Sequence, residues 1–277
     1  MFDSGVGGLT VLKALIAALP DEQFIYLGDT ARLPYGTKSR ETVARYSVQA
    51  AEALADYGVK CLVVACNTAS AVGLPGIREH IENVPVIGVV EPGAEAACAT
   101  SVSGHIAVIA TEGTVRGGAY QEAIIGKRSD ARVTACPAAL LVSLAEEGLC
   151  DGPIAEGIAH HYLDPIFSRQ GERVSKPIAG RHLGIPDTLV LGCTHFPMLA
   201  GAIRKVVGPA VRIVDSAETT AHTVRATLAK TKEQGGVPAR RASVRFLATD
   251  SVERFVRIGS RFLDRPIAPE EVELVDL

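Results

Sequence analysis

The sequence predicts an α/β protein made of two parallel-sheet units, and three observations carry that reading. Short apolar runs alternate with helical stretches, the pattern of βα units whose strands run parallel beneath covering helices. One local context occurs twice. Leu62-Val63-Val64-Ala65-Cys66-Asn67-Thr68 and Leu189-Val190-Leu191-Gly192-Cys193-Thr194-His195 each bring a cysteine to the end of a buried-strand pattern, with small polar residues following at once. The length of 277 residues agrees with about two domains. Two thiols presented alike from two halves predict a symmetric site with one sulfur on either face of a substrate.

Taken in order, Met1-Phe2-Asp3-Ser4-Gly5-Val6-Gly7-Gly8 opens the first half and runs into a helix over Leu9–Ala18. Phe24–Leu27 reads as a strand, Thr42–Tyr57 as a helix with Val43, Tyr46, Ala50, Ala53, Leu54 and Tyr57 at three-to-four spacing, and Cys61–Ala65 and Val86–Val90 as further strands. Glu91-Pro92-Gly93-Ala94 marks a boundary between the halves. Ile106–Ala110 opens the second half as a strand running into the polar loop Thr111-Glu112-Gly113-Thr114. Thr188–Leu191, Val211–Val214 and Val244–Leu247 are strands, and Ser251–Phe262 is a helix with Phe255, Ile258 and Phe262 on one face. Glycines and prolines over 169–186 and 230–241 predict exposed loops.

The bulk composition excludes several classes. Hydrophobic residues make up 47% and charged residues 21%, enough for a sizeable core. A net charge of −3, no tryptophan and only 5% aromatics argue against nucleic-acid binding. No apolar run approaches the ~18 residues of a membrane span, and the N-terminus lacks a signal-peptide pattern. The six cysteines include no CxxC pair, so a reduced, cytoplasmic chain is expected rather than a disulfide scaffold.

The strand-end motifs carry the chemistry. Asp3-Ser4-Gly5-Val6-Gly7-Gly8 suits a ligand loop at a helix start, and a tight strand–helix turn explains the same residues. It is neither the dinucleotide fingerprint nor a P-loop. Asp29–Gly36, with Pro34-Tyr35-Gly36 at its tip, follows a strand and could offer backbone N–H groups and a phenol to a ligand. Cys66 and Cys193 stand at strand-to-helix switches, where a helix N-terminus lowers a thiol's pKa, and His195 lies close enough in sequence to move a proton for Cys193. A zinc site from Cys66, Cys193 and His195 is disfavoured by the absence of structural-zinc spacings. Cys61, Cys98, Cys136 and Cys150 lack comparable company and read as inert thiols.

Together, Phe2–Leu9, Asp29–Gly36, Ala65–Ala69, Ala110–Thr114 and Leu191–His195 resemble the motifs of the glutamate racemases, in the same order. The resemblance spans residues 2–195 and is looser beyond. It implies two α/β domains related by a pseudo-twofold axis, with the active site in the cleft between them. Residues 1–92 plus 207–277 would form one domain, and 93–206 the other. It further implies cofactor-independent racemisation of glutamate for peptidoglycan synthesis, with Cys66 exchanging the α-proton of D-glutamate and Cys193 that of L-glutamate. Asp3 would assist Cys66, and His195 with Glu146 would assist Cys193, although Glu147 adjoins Glu146. Ser4, Tyr35, Gly36, Asn67, Thr68, Thr111, Thr114 and Thr194 would hold the substrate. No cofactor and no metal are expected, and dimers are common among such enzymes. Relatives carry several apolar residues before Phe-Asp-Ser-Gly, where Met1 alone precedes Phe2 here. This suggests a mis-assigned start and, for a chain this short, a weakly held Asp3. The rival readings are an aspartate racemase or another two-cysteine relative, and a catalytically silent binding or regulatory module.

Overall fold

In the computed structural model, which describes residues 1–168, 184–232 and 243–277, two parallel sheets each end in loops that face a common centre. The first sheet has the order β10-β9-β2-β1-β3-β4, from Val272–Leu274, Ser243–Ala248, Gln23–Gly28, Phe2–Asp3, Leu62–Val64 and Val86–Gly88. The second has the order β6-β5-β7-β8, from Arg132–Pro137, His105–Ala110, Thr188–Gly192 and Arg212–Asp215. Every ladder is parallel. The run β2-β1-β3-β4 is repeated by β6-β5-β7-β8, so β3, which leads to Cys66, corresponds to β7, which leads to Cys193.

This order creates two switch points. From β1 the chain crosses to β2 on one side, and from β3 to β4 on the other; β5 and β7 diverge in the same way. Crevices at the carboxyl ends of such strands are where open α/β sheets bind ligands. Between β1 and β3 lie the Asp3–Gly8 loop and Cys66, and between β5 and β7 lie Thr111–Thr114 and Cys193–His195.

The helices form for local reasons. In α1 (Leu9–Ala18), Leu9, Val11, Leu12 and Leu15 are buried. In α2 (Arg40–Ala55), Ser39 caps the N-terminus by accepting from the Thr42 N–H at 3.2 Å. This is why the helix begins two residues before the periodic pattern does. After β3 come α3 (Asn67–Val72) and α4 (Leu74–His80). Next, α5 (Val90–Thr100) begins where the boundary 91–94 was expected. Pro92 lies in its first turn, where a missing N–H costs nothing, so Pro-Gly opens a helix here instead of breaking one.

In the second half, α6 (Glu112–Gly117) is capped by Thr111, and α7 (Ala119–Lys127), α8 (Leu140–Glu147), α9 (Gly152–Phe167), α10 (Ala200–Val207) and α11 (Ser216–Lys232) follow. The last helix, α12 (Val252–Leu263), buries Phe255, Ile258, Phe262 and Leu263. Burying one such side chain stabilises the fold by roughly 1.5–3 kcal/mol, so this face anchors α12 firmly.

Two strands escaped the sequence reading: β10 has three residues, and β6 is a half-exposed edge strand interrupted by polar residues and ending at Pro137, while β1 has only two residues. β8 was expected to belong with residues 207–277 in the first unit, yet Leu189, Val190 and Leu191 of β7 pair with Ile213, Val214 and Asp215, so it closes the second sheet. Asp3 is not weakly held either. β1 lies between β2 and β3, Asp3 is fully buried, and its carboxylate accepts the Gly5 N–H at 3.0 Å. Of the expected loops, 169–183 and 233–241 lie outside the described residues, and Lys230 belongs to α11. No helix among the described residues is long and apolar enough to cross a membrane.

Candidate active site

Cys66 is the N-cap of α3, and its Sγ accepts the Ala69 N–H at 3.5 Å and lies 3.6 Å from Ser4 Oγ. The expected lowering of its pKa does not occur. Burial, reinforced by the Asp3 charge, pushes the Cys66 thiol up to about 12, against the weaker pull of the Ala69 N–H and the Ser4 hydroxyl. A single peptide dipole does not offset loss of water around an anion with a carboxylate nearby.

Cys193 is differently placed. It precedes a 3₁₀ turn (Phe196–Leu199), not an α-helix, and its Sγ lies 3.8 Å from His195 Nδ1. On the far side of the ring, His195 Nε2 lies 3.1 Å from Glu146 Oε1. Burial opposes a charge on His195, but hydrogen bonds to Cys193 and Glu146 outweigh it and raise the imidazole to about 10. Glu146 is held below the usual carboxylate range, first by its bond to His195 and despite partial burial. Glu147 is exposed, so the choice between the two glutamates falls on Glu146.

Asp3 sits between the two thiols. Its Oδ1 accepts from Thr194 Oγ1 at 3.5 Å, and Thr194 Oγ1 lies 3.4 Å from His195 Nδ1. Burial raises the Asp3 pKa, and the His195 charge partly counters it. The carboxylate therefore reaches the Cys193 side through Thr194 and His195 as well as lying near Cys66. Thr10 fixes this junction by donating to the Thr194 carbonyl at 2.9 Å.

The remaining expected residues gather around the same centre, with one exception. Thr68, Thr111 and Thr114 form a closed triangle of hydroxyls at 2.9, 3.1 and 3.0 Å, joining the N-terminus of α3 to that of α6. Gly36, in the 3₁₀ turn Tyr35–Thr37, approaches so closely that a Cβ would stand 2.7 Å from Thr111 Cβ, which makes glycine necessary there. Asn67 Oδ1 accepts from Tyr120 at 2.7 Å, while its buried Nδ2 has no partner among the described residues. The Tyr35 phenol is the exception. It is fully buried and donates to Asp29, so it is not displayed at a loop tip; burial and Asp29 raise its pKa strongly.

Sequence reasoning missed three supports, Thr10, Tyr120 and Arg254, and it marked Gly7 only as part of a ligand loop. Gly7 allows Thr194 and His195 to lie against the first loop, since a Cβ there would stand 2.3 Å from Thr194 Oγ1. Arg254 donates to Glu146 Oε2 at 2.6 Å. Thr10, Tyr120 and Arg254 lie in no duplicated motif; only pairing across the fold reveals them. Cys61, Cys98, Cys136 and Cys150 are free and partly buried, away from this cluster. Among the described residues, no group of three or more His, Cys, Asp or Glu side chains could hold a metal ion.

The arrangement can hold one thiol protonated beside a carboxylate and present another to an imidazolium, in a site where both sulfurs are almost excluded from water. Comparison with known proteins is consistent with that chemistry. A glutamate racemase of Geobacter metallireducens is 46% identical over 269 residues, covering 95% of this chain and 91% of its own length. The crystal structure of glutamate racemase from Francisella tularensis subsp. tularensis SCHU S4 in complex with D-glutamate matches with a TM-score of 0.86 at 33% identity, covering 99% of this chain and 95% of that one. The glutamate racemase from Thermus thermophilus in complex with beta-chloro-D-alanine matches at 0.81 and 42%, covering 100% and 95%. The Asp/Glu/hydantoin racemase family profile matches residues 7–224, the span that holds both thiols, and the chain belongs to that family.

Proposed function

We propose that the protein interconverts L- and D-glutamate by a two-base mechanism without a cofactor, and so supplies D-glutamate for peptidoglycan in the cytoplasm. The observation that carries this reading is the pair of thiols at equivalent switch points of two repeated sheets, each with a different ionic neighbour. The choice of glutamate rests on the curated relatives at 40–46% identity, all glutamate racemases.

In the L-to-D direction, the Cys193 thiolate removes the α-proton of L-glutamate and the bonding pair passes to the α-carbon. The Cys66 thiol delivers its proton to the opposite face, which leaves Cys66 as thiolate and Cys193 as thiol; the reverse reaction exchanges their roles. His195, held by Glu146, supplies the positive charge beside Cys193. Asp3 favours the protonated form of Cys66. Ser4, Asn67, Thr68, Thr111, Thr114 and Thr194, with backbone groups of Tyr35 and Gly36, hold the carboxylates and ammonium. The unpartnered Asn67 Nδ2 is a donor for a substrate carboxylate. N–H groups at the starts of α3 and α6 stabilise charge developing at the α-carboxylate in this dry setting. The two units would be two domains, with this site in the cleft between them.

The test is α-proton exchange. Purified protein in D₂O with L- or D-glutamate and no added cofactor should lose the α-proton NMR signal while optical activity decays. Exchange with aspartate alone would make it an aspartate racemase; glutamate binding without exchange would make it a silent binding module.

A further inference from the structure

Glu146 is gripped from two sides. Its Oε1 meets His195 Nε2 at 3.1 Å, and its Oε2 accepts from Arg254 Nη2 at 2.6 Å. The two grips come from different parts of the molecule. Arg254 stands on α12, which packs against α1 and β10 of the first sheet, whereas α8 with Glu146 packs against α9 and the 3₁₀ turn that follows Cys193. Two further residues of α12 support the same junction. Arg261 donates to the Glu146 carbonyl at 3.4 Å, at the C-terminal end of α8, where the helix dipole favours a cation. Phe262 meets the His195 ring edge to face, with centroids 5.2 Å apart and planes at 76°.

We propose that Arg254 is a positioning residue of the reaction: from the first sheet's side it holds Glu146 ionised and in place, so that Glu146 aligns His195 with Cys193. The inference rests on the two-thiol reading above. A carboxylate with one oxygen on an imidazole and the other facing water can rotate away. A guanidinium on the second oxygen removes that freedom through a short charge-assisted bond. The series Arg254–Glu146–His195–Cys193 thus orients the base through a partner of a partner. Because Arg254 sits on the opposite unit, the series is complete only when α12 and α8 are together. An exposed ion pair contributes little to stability, and Arg254 is 46% exposed, so its significance is to be sought in the chemistry.

The test uses Arg254→Ala and Arg254→Lys in the full chain. The Ala variant should lose about fivefold in kcat/KM, equally in both directions because the enantiomers are equally stable, with little change in Tm. The decisive readout is the primary deuterium isotope effect on kcat/KM. Slower transfer at Cys193 makes that step more rate-limiting. The effect should therefore rise with L-[2-²H]glutamate and fall toward one with D-[2-²H]glutamate, and the Lys variant should recover most of both. Unchanged kcat/KM, isotope effects that move together, or a Lys variant as impaired as Ala would overturn the proposal. The mirror pattern would uphold the positioning role and overturn only the assignment of Cys193 to L-glutamate. Failure of the two-thiol reading itself would show separately, as racemisation surviving in Cys193→Ala.

Discussion

Adding a single methyl group at Gly7 tests how tightly the site is built. A Cβ at this position would stand 2.3 Å from Thr194 Oγ1 and 2.5 Å from His195 Cε1 and Nδ1, whereas ordinary contact begins at 3.4 Å. Gly7 has no left-handed backbone conformation to lose, so Gly7→Ala acts through contact alone. Neither neighbour can retreat cheaply. Thr194 is tied to Asp3 and His195 to Glu146, and both are buried. The ring and hydroxyl must shift by about 1 Å, a displacement that costs on the order of 100-fold in rate when it falls on reacting groups. Overpacking of this kind also costs about 1–3 kcal/mol of stability. Circular dichroism of glutamate in both directions gives kcat/KM, and thermal melting gives the stability cost. Gly126→Ala on α7, whose Cβ would meet nothing within 4 Å, is the control and should keep full activity. A folded Gly7→Ala protein with kcat/KM within about threefold of the parent would refute the claim that this contact sets the His195–Cys193 geometry.

Other predictions address the remaining parts. Cys66→Ala and Cys193→Ala should each abolish racemisation followed by optical rotation, whereas Cys98→Ala should not; near-normal turnover in either of the first two would remove the two-thiol assignment. His195 is raised from 6.5 to about 10, so its contribution to stability is fully present below pH 6.5 and lost as pH rises through 10. Cys66, raised from 9 to about 12, acts in the same sense at higher pH. Tm should therefore fall between about pH 7 and 10, and His195→Gln should flatten that fall; a parent Tm that is level across this range would contradict the charge assignment. Thr114→Val keeps the volume of a side chain that is 1% exposed but loses its hydroxyl contacts with Thr68 and Thr111. The KM for glutamate should rise about tenfold with a stability cost of about 1 kcal/mol, and an unchanged KM would place the triangle outside the binding surface.

Both cysteines, and the strands that carry them, were legible because a buried strand and a helix start leave local marks in sequence. The β-branched run before Cys66 and the hydroxyl residues after it are such marks, and they recur around Cys193. What the duplication concealed was inequality. Cys66 caps an α-helix whereas Cys193 only precedes a 3₁₀ turn, and the charged neighbours of the two sites come from β1, α8 and α12, distant in sequence. The membership of β8 was hidden for a related reason. A four-residue strand between two helices pairs equally well on paper with either sheet, and only the crossover from β7 decides it. Arg254 reads in sequence as one of several arginines on the solvent face of an amphipathic helix, with nothing local to set it apart.

That inequality bears on the two-base inversion proposed above, which needs one thiolate and one thiol at a time. Two thiols in identical surroundings would have no preferred order of ionisation. Two thiolates leave nothing to donate, and two thiols leave nothing to abstract. A repeated fold therefore supplies the geometry, one sulfur per crevice, but not the chemistry. The charges around it break the symmetry: a buried carboxylate near Cys66 favours a proton on its sulfur, and an imidazole raised to about 10 stands beside Cys193. Asp3 couples the two, since its charge raises Cys66 and also steadies the His195 cation. Asp3→Asn should then disturb proton transfer at both thiols, by easing ionisation of Cys66 while weakening the charge on His195, so that the isotope effects with L- and D-[2-²H]glutamate do not diverge. Isotope effects that move in opposite senses, as a change at one transfer step requires, would mean that Asp3 serves a single thiol and that the coupling is absent.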